Sequence, residues 1–254
     1  MKVDFPAFHP LGCSAVTMYF SETISVEIND LIHYFANFLR DNTEKYWTDI
    51  VPTYHSLTVF YQPTELSYDE AVGGLKKIYH NCQKCYRQTV LDKRLYKIPV
   101  LYGKEFGPDI HIVAEINNLT IEEVISLHSS QLYRIYMIGF LPGFPYLGGL
   151  PSSLNTPRLM KPRRSVPEGS VGIGGTQTGV YPISSPGGWN LIGRTPIKLF
   201  DRSFENPIKL EAGHYLQFIP IEKDEFDDIQ NQSKLGNYEL ICEEYVHEKN
   251  RLEL

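Results

Sequence analysis

From Tyr133 to Asp201 the chain sets glycine or proline at almost every turn, between aromatics and a few arginines. It reads YRIYMIGFLPGFPYLGGL and then TPRLMKPRRSVPEGSVGIGGTQTGVYPISSPGGWNLIGRTPIKLFD. No regular helix survives such a run, because glycine admits positive φ while proline fixes φ and removes a backbone donor. Short strands joined by tight turns remain, as on a β-barrel, and loops at a barrel rim are where binding groups are usually carried. The chemistry of this chain is expected there.

The first hundred residues read differently. Ser14 to Phe20, Asp49 to Val51, Leu57 to Tyr61 and Arg94 to Leu101 have strand character. Between them, Ile28, Leu31, Ile32, Phe35, Phe38 and Leu39 recur at helical spacing, and a second helix follows the capping box Ser67–Glu70. The resulting order β-α-β-β-α-β predicts a ferredoxin-like unit. A short helix after Gly107-Pro108-Asp109 and another after the Thr120–Glu123 capping box form a helical connector. Beyond it, Tyr133–Ile138, Ser170–Ile173, Ile197–Phe200 and Tyr215–Pro220 are predicted strands with no helices between them, hence a barrel. The fold class expected is α+β, divided as 1–102 (α+β domain), 103–132 (connector), 133–222 (β-barrel) and 223–254 (acidic tail). The end of that tail reads equally as a hairpin or a helix.

Several function classes are disfavoured. A formal net charge of −6 argues against a nucleic-acid partner. No apolar run is long enough to span a bilayer, and MKVDFPAFHP is not a secretory signal, so a cytoplasmic location is expected. Cys82-Gln83-Lys84-Cys85 lacks two further ligands at zinc spacing and reads as one core and one surface thiol on a helix. Ser184 and Ser185 lie in no GxSxG elbow, and no HExxH occurs. His55, His128 and His214 fall near element ends, where the structural reading is favoured over the catalytic one. Gly172 to Gly179 lacks the P-loop lysine and a following helix, so a tight hairpin is the favoured reading. Arg158, Lys161, Arg163 and Arg164 make a short basic segment. Arg194, in IGRTP at the barrel lip, suits bidentate grip of a carboxylate or phosphate, or equally a surface arginine bonded to loop carbonyls.

GFLPGFPYLGGL, the Pro157-Arg158 and Pro162-Arg163 pairs, VPEGSVGIGGTQTGVYP and SPGGWNLIGRTP together resemble the PxpB family, the B-type subunits of bacterial 5-oxoprolinase. That family also takes in the kinase inhibitor KipI and the so-called allophanate hydrolase subunit 1. Tyr54-His55-Ser56-Leu57, Ile98-Pro99-Val100, Phe106-Gly107-Pro108-Asp109 and Val124 to His128 extend the likeness over nearly all of the chain up to about Pro220. The resemblance implies a cyclophilin-like barrel and ATP-dependent opening of 5-oxo-L-proline to L-glutamate, with Mg²⁺ as the counter-ion of ATP. The implied partners are a C-type (KipA-like) 5-oxoprolinase subunit, which shares the complex, together with a lactam-utilisation protein, the A-type component. The alternative it implies is a protein that binds and inhibits a sensor histidine kinase.

In that setting Arg158 and Arg194 are expected to neutralise phosphate or substrate carboxylate. Gly174, Gly175, Gln177 and Thr178 are expected to supply hydrogen-bond donors. Phe144, Tyr146 and Trp189 would wall a lactam or nucleotide ring, and Pro186, Gly187 and Gly188 would shape the rim. No protein metal ligand is expected.

Overall fold

The computed structural model describes residues 5–41, 45–86 and 92–245. It divides into two compact units after Leu91. Among the described residues no helix is long and apolar enough to cross a membrane.

The first unit runs β1 (Ala7–Pro10), β2 (Ala15–Tyr19), α1 (Val26–Asp41), β3 (Trp47–Pro52), β4 (Ser56–Tyr61) and α2 (Tyr68–Tyr86). Its sheet has the order β1-β2-β4-β3, antiparallel throughout. Ser25 Oγ accepts the Ile28 N–H at the start of α1. The spacing of Ile32, Phe35, Ala36 and Leu39 then buries one stripe of that helix. At α2 the Ser67 N–H donates to Glu70 Oε2 at 2.9 Å, as the capping box predicts. Leu75 and Cys82 of α2 join Val16, Met18, Leu57 and Val59 of the sheet in one core. Cys82 is buried and Cys85 exposed.

This arrangement corrects the ferredoxin-like expectation. The strand Arg94–Leu101, expected to close the first sheet, is not in it; β1 takes the edge beside β2 instead. Sequence order suggested the closing strand, because AFHP is too short and proline-ended to announce β1.

The second unit opens with that displaced strand, β5 (Arg94–Tyr102), followed by α3 (Ile110–Asn117) and α4 (Ile121–Ser129). Then come β6 (Tyr133–Ile138), β7 (Pro145–Gly148), β8 (Arg163–Val166), β9 (Ser170–Gly174) and β10 (Gln177–Val180). β11 (Ser185–Gly187), β12 (Asn190–Arg194), β13 (Tyr215–Pro220), α5 (Lys223–Lys234) and β14 (Cys242–Glu244) complete it. The main sheet has the order β10-β9-β12-β5-β13-β6-β7, with β14 also on β5. Its ends, β10 and β7, lie side by side, so the sheet curls into a nearly closed barrel. β8 and β11 form a separate ribbon.

β5 is the barrel's hub. It pairs antiparallel with β12 and β14 and parallel with β13, and its Ile98 and Val100 are fully buried. Its middle, Ile98 to Val100, is buried, while Arg94 at its start is exposed and Lys97 only half-buried. Expected strand Ile197–Phe200 is not a strand. Ile197 and Leu199 are buried in alternation, but the backbone makes only an isolated bridge from Phe200 to Ile208. The segment 223–245 is partly built into the unit: α5 buries Phe226 and Ile229, and Phe226 meets Phe106 at 4.8 Å. The rest of the tail, 246–254, lies outside the described residues.

Candidate functional site

The Gly/Pro-dense turns build an aromatic cleft of about 320 Å³ on the second unit. Its base is a small cluster of buried residues separate from the barrel core: Phe144, Val166, Tyr181, Trp189 and Leu191. Phe144 meets Tyr146, Tyr181 and Trp189 edge to face, with ring centroids 5.4, 5.7 and 5.8 Å away. Such edge-to-face contacts suit the ring quadrupoles and hold the walls rigid. Phe140 stands at the mouth, 69% exposed, with φ of 66° in a region a bulky side chain seldom enters.

Glycine makes this packing possible. A Cβ on Gly174 would lie 2.3 Å from Trp189 Cδ1, and one on Gly187 would lie 2.5 Å from the Tyr181 hydroxyl. These two positions therefore serve close approach of backbone to aromatic ring.

Two polar side chains line the cleft's open side. Arg158 is exposed, with its guanidinium carbon 5.9 Å from the Trp189 ring centroid. Gln177 projects from the start of β10. Among the described residues no Asp or Glu lines the cleft. A guanidinium over an indole face, beside a primary amide, is suited to a small planar ligand that carries one negative charge.

Of the residues singled out in the sequence, Phe144, Tyr146, Arg158, Gln177, Pro186, Gly187, Gly188 and Trp189 come together here. The expected hairpin is present, with Gln177 opposite Gly174. Gly174 lies behind Trp189. The Gly175 N–H donates to Thr156 O at 2.7 Å. The Thr178 hydroxyl is buried, donating to Gly172 O and bonded to His128 Nε2. Of that set, Gln177 is the member that lines the cleft.

Arg194 is not part of the cleft lining. Its guanidinium lies over Phe106 at 5.6 Å, and its Nε is buried without a hydrogen-bond partner. Burial lowers its pKa from the ordinary arginine value, against the opposing charge of Glu105. The expectation of one pocket holding both Arg158 and Arg194 is thus replaced by two separate arginine environments.

His128 is a structural hub. It is fully buried, stacked on Phe218 at 4.5 Å, and bonded to Tyr102 Oη and Thr178 Oγ1 at 2.8 Å each. Burial drives its pKa down to about 3, so the ring is neutral. His214 is tied to its surroundings through the Arg94 N–H and Glu211.

Sequence reasoning missed Asp109 and passed over Asn190. Asp109 precedes α3 but makes no side-chain cap there. Its carboxylate instead takes Arg163 Nη2 at 2.6 Å and the Leu191 N–H at 2.7 Å. Gly-Pro-Asp before a helix signals a cap, and nothing in that spacing announces a reach across the fold. Asn190 is buried, and its Nδ2 donates to Pro157 O at 2.9 Å.

The barrel and its cleft define a class. Residues 6–210 match the model for the carboxyltransferase domain, subdomain C and D, and the chain belongs to that family. Among its relatives, the 5-oxoprolinase B subunit of Bacillus subtilis (strain 168) is 39% identical over 88% of this chain and 96% of its own length. The Haemophilus influenzae protein of the same name is 41% identical over 83% of this chain and 95% of its own. The solved structure of TTHA0988 superposes with a TM-score of 0.71 at 35% identity, over 82% of this chain. This chain spans 40% of the length of that protein.

Proposed function

We propose that the chain is the B-type subunit of an ATP-dependent 5-oxoprolinase and that its aromatic cleft takes the 5-oxo-L-proline ring. The likeness to proteins named as the B subunit of 5-oxoprolinase, over nearly their full length, supports the first half of that reading. The observation that carries the second is Arg158 set over the Trp189 face beside Gln177, in a cleft without carboxylates. The substrate has one carboxylate, an apolar ring and a cis amide whose N–H and C=O share an edge. A guanidinium grips the carboxylate with two parallel hydrogen bonds. Aromatic rings cover the methylenes, and a primary amide complements the lactam edge with one donor and one acceptor.

ATP supplies the phosphoryl group that turns the lactam oxygen into a leaving group, and Mg²⁺ accompanies its phosphates. The cleft does not fit them. It offers one guanidinium against a triphosphate and no carboxylate for a cation. Among the described residues no group of three or more His, Cys, Asp or Glu is placed to hold a metal ion. We therefore assign to this chain the binding and orientation of the lactam, which phosphoryl transfer demands above all. The nucleotide belongs to a site completed with the C-type partner, and the A-type lactam-utilisation protein completes hydrolysis. A kinase-inhibitor role rests on the same sequence motifs, and no feature of the cleft favours it.

The test is reconstitution. The chain, mixed with its C-type and A-type partners, ATP, Mg²⁺ and 5-oxoproline, is expected to yield glutamate. No glutamate from a correctly folded, assembled mixture would refute the reading.

A further inference from the structure

Arg158 stands in the solvent, so something must give it one orientation. Its two flanking peptide groups are both held by the segment 188–190. Asn190 Nδ2 donates to the Pro157 carbonyl at 2.9 Å, and the Leu159 N–H donates to the Gly188 carbonyl at 2.7 Å. The Asn190 amide is only 1% exposed and also reaches Ile173 O at 3.3 Å, so it is fixed against β9.

The segment that holds Arg158 is itself held from behind. Asp109 reads both sides of the Leu191 peptide position: its N–H donates to Leu191 O at 2.9 Å, and its Oδ2 accepts the Leu191 N–H at 2.7 Å. Its Oδ1 binds Arg163 Nη2 at 2.6 Å, and Arg163 Nη1 extends to the Trp189 carbonyl at 3.4 Å. Asp109 is 5% exposed while the Arg163 side chain is 30% exposed, so losing Arg163 leaves a buried carboxylate without its cation.

The geometry points to Asp109, Arg163 and Asn190 as positioning residues for the lactam cleft. Asp109 and Arg163 lock the Trp189–Leu191 backbone, and Asn190 passes that position on to Arg158. None of the three needs to touch the ligand; they act through Trp189 and Arg158. The inference deepens the lactam reading and rests on it for its kinetic part only, because the positioning itself is observable without ligand.

Trp47 and Trp189 are the chain's two tryptophans, and Trp47 lies in the first unit with an unpartnered buried Nε1. A full-length Trp47→Phe chain therefore makes Trp189 the sole indole reporter. In that parent, Asn190→Ala is expected to raise acrylamide quenching of Trp189 about twofold in the free chain. In the assembled complex it is expected to raise KM for 5-oxoproline about tenfold while kcat changes less than about threefold. Arg163→Lys keeps the charge but cannot span Asp109 and Trp189 together, and is expected to show the same pattern more weakly. It also serves if Asn190→Ala does not fold. Folded variants whose quenching and KM both equal the parent's would overturn the proposal, as would a fall in kcat and Tm with KM intact. No turnover by the parent would instead count against the lactam reading, and the quenching would still decide the positioning.

Discussion

Arg158, Gly174 and His128 show how differently single residues contribute to one barrel. Arg158 buries little, so Arg158→Ala is expected to leave the melting temperature nearly unchanged. Loss of a charge-assisted contact of about 1.5–3 kcal/mol should still raise KM for 5-oxoproline by about ten- to a hundredfold. Steady-state kinetics beside a thermal melt separate the two effects. Gly174→Ala should do the reverse: its methyl would collide with Trp189 Cδ1, an overpacking that costs about 1–3 kcal/mol and shifts the indole. A lower melting temperature with altered Trp189 emission is the expected result. His128 makes stability depend on pH. Its folded pKa of about 3 lies below the unfolded value of 6.5, so between those limits the unfolded chain binds the extra proton. The stabilisation from its neutral form is fully present above pH 6.5 and is lost as pH falls towards 3. Its slope is at most about 1.4 kcal/mol per pH unit. Urea midpoints measured from about pH 7 to about pH 4 should fall more steeply for the wild type than for His128→Asn, and equal slopes would clear the imidazole of this role.

Elements that announce themselves by periodicity were legible. α1 and α2 follow their apolar stripes, and β6 and β13 fall where runs of β-branched and aromatic residues place them. The two thiols of α2 also lie as their i, i+3 spacing suggests. Burial pushes the Cys82 thiol up to about 12, whereas Cys85 is exposed. Iodoacetamide on the native chain should therefore label Cys85 and spare Cys82 until denaturant is added, as peptide mass spectrometry would show. The short strands β7, β8, β11 and β12 were not legible one by one. Their sequences, PYLG, RRSV, SPG and NLIGR, are too brief and too rich in glycine, proline or charge to carry a period-2 signal. Ile197–Phe200 shows the converse, a real alternation of burial without a ladder. Composition pointed to the Gly/Pro and aromatic-rich stretch as the place of the site, but the choice of Phe144, Tyr146 and Trp189 came from the family resemblance, and the structure places all three in the cleft. Asp109 and Asn190 were hidden, because they act through backbone partners 82 and 33 residues away.

At the scale of the whole molecule, the decisive fact is that β5 belongs to the barrel. A fragment beginning at Asp92 should unfold cooperatively, whereas one beginning at Gly103 loses the partner of β12, β13 and β14 and should show no cooperative transition. Near-UV circular dichroism against urea would distinguish them, and cooperative unfolding of the shorter fragment would contradict the hub role of β5. The same strand has a consequence for synthesis. Its first partner in chain order, β12, begins only at Asn190, and β13 and β14 follow later still. A ribosome thus releases β5 long before any strand exists to zip onto it, and through that interval its Ile98 and Val100 are left open to the wrong neighbours.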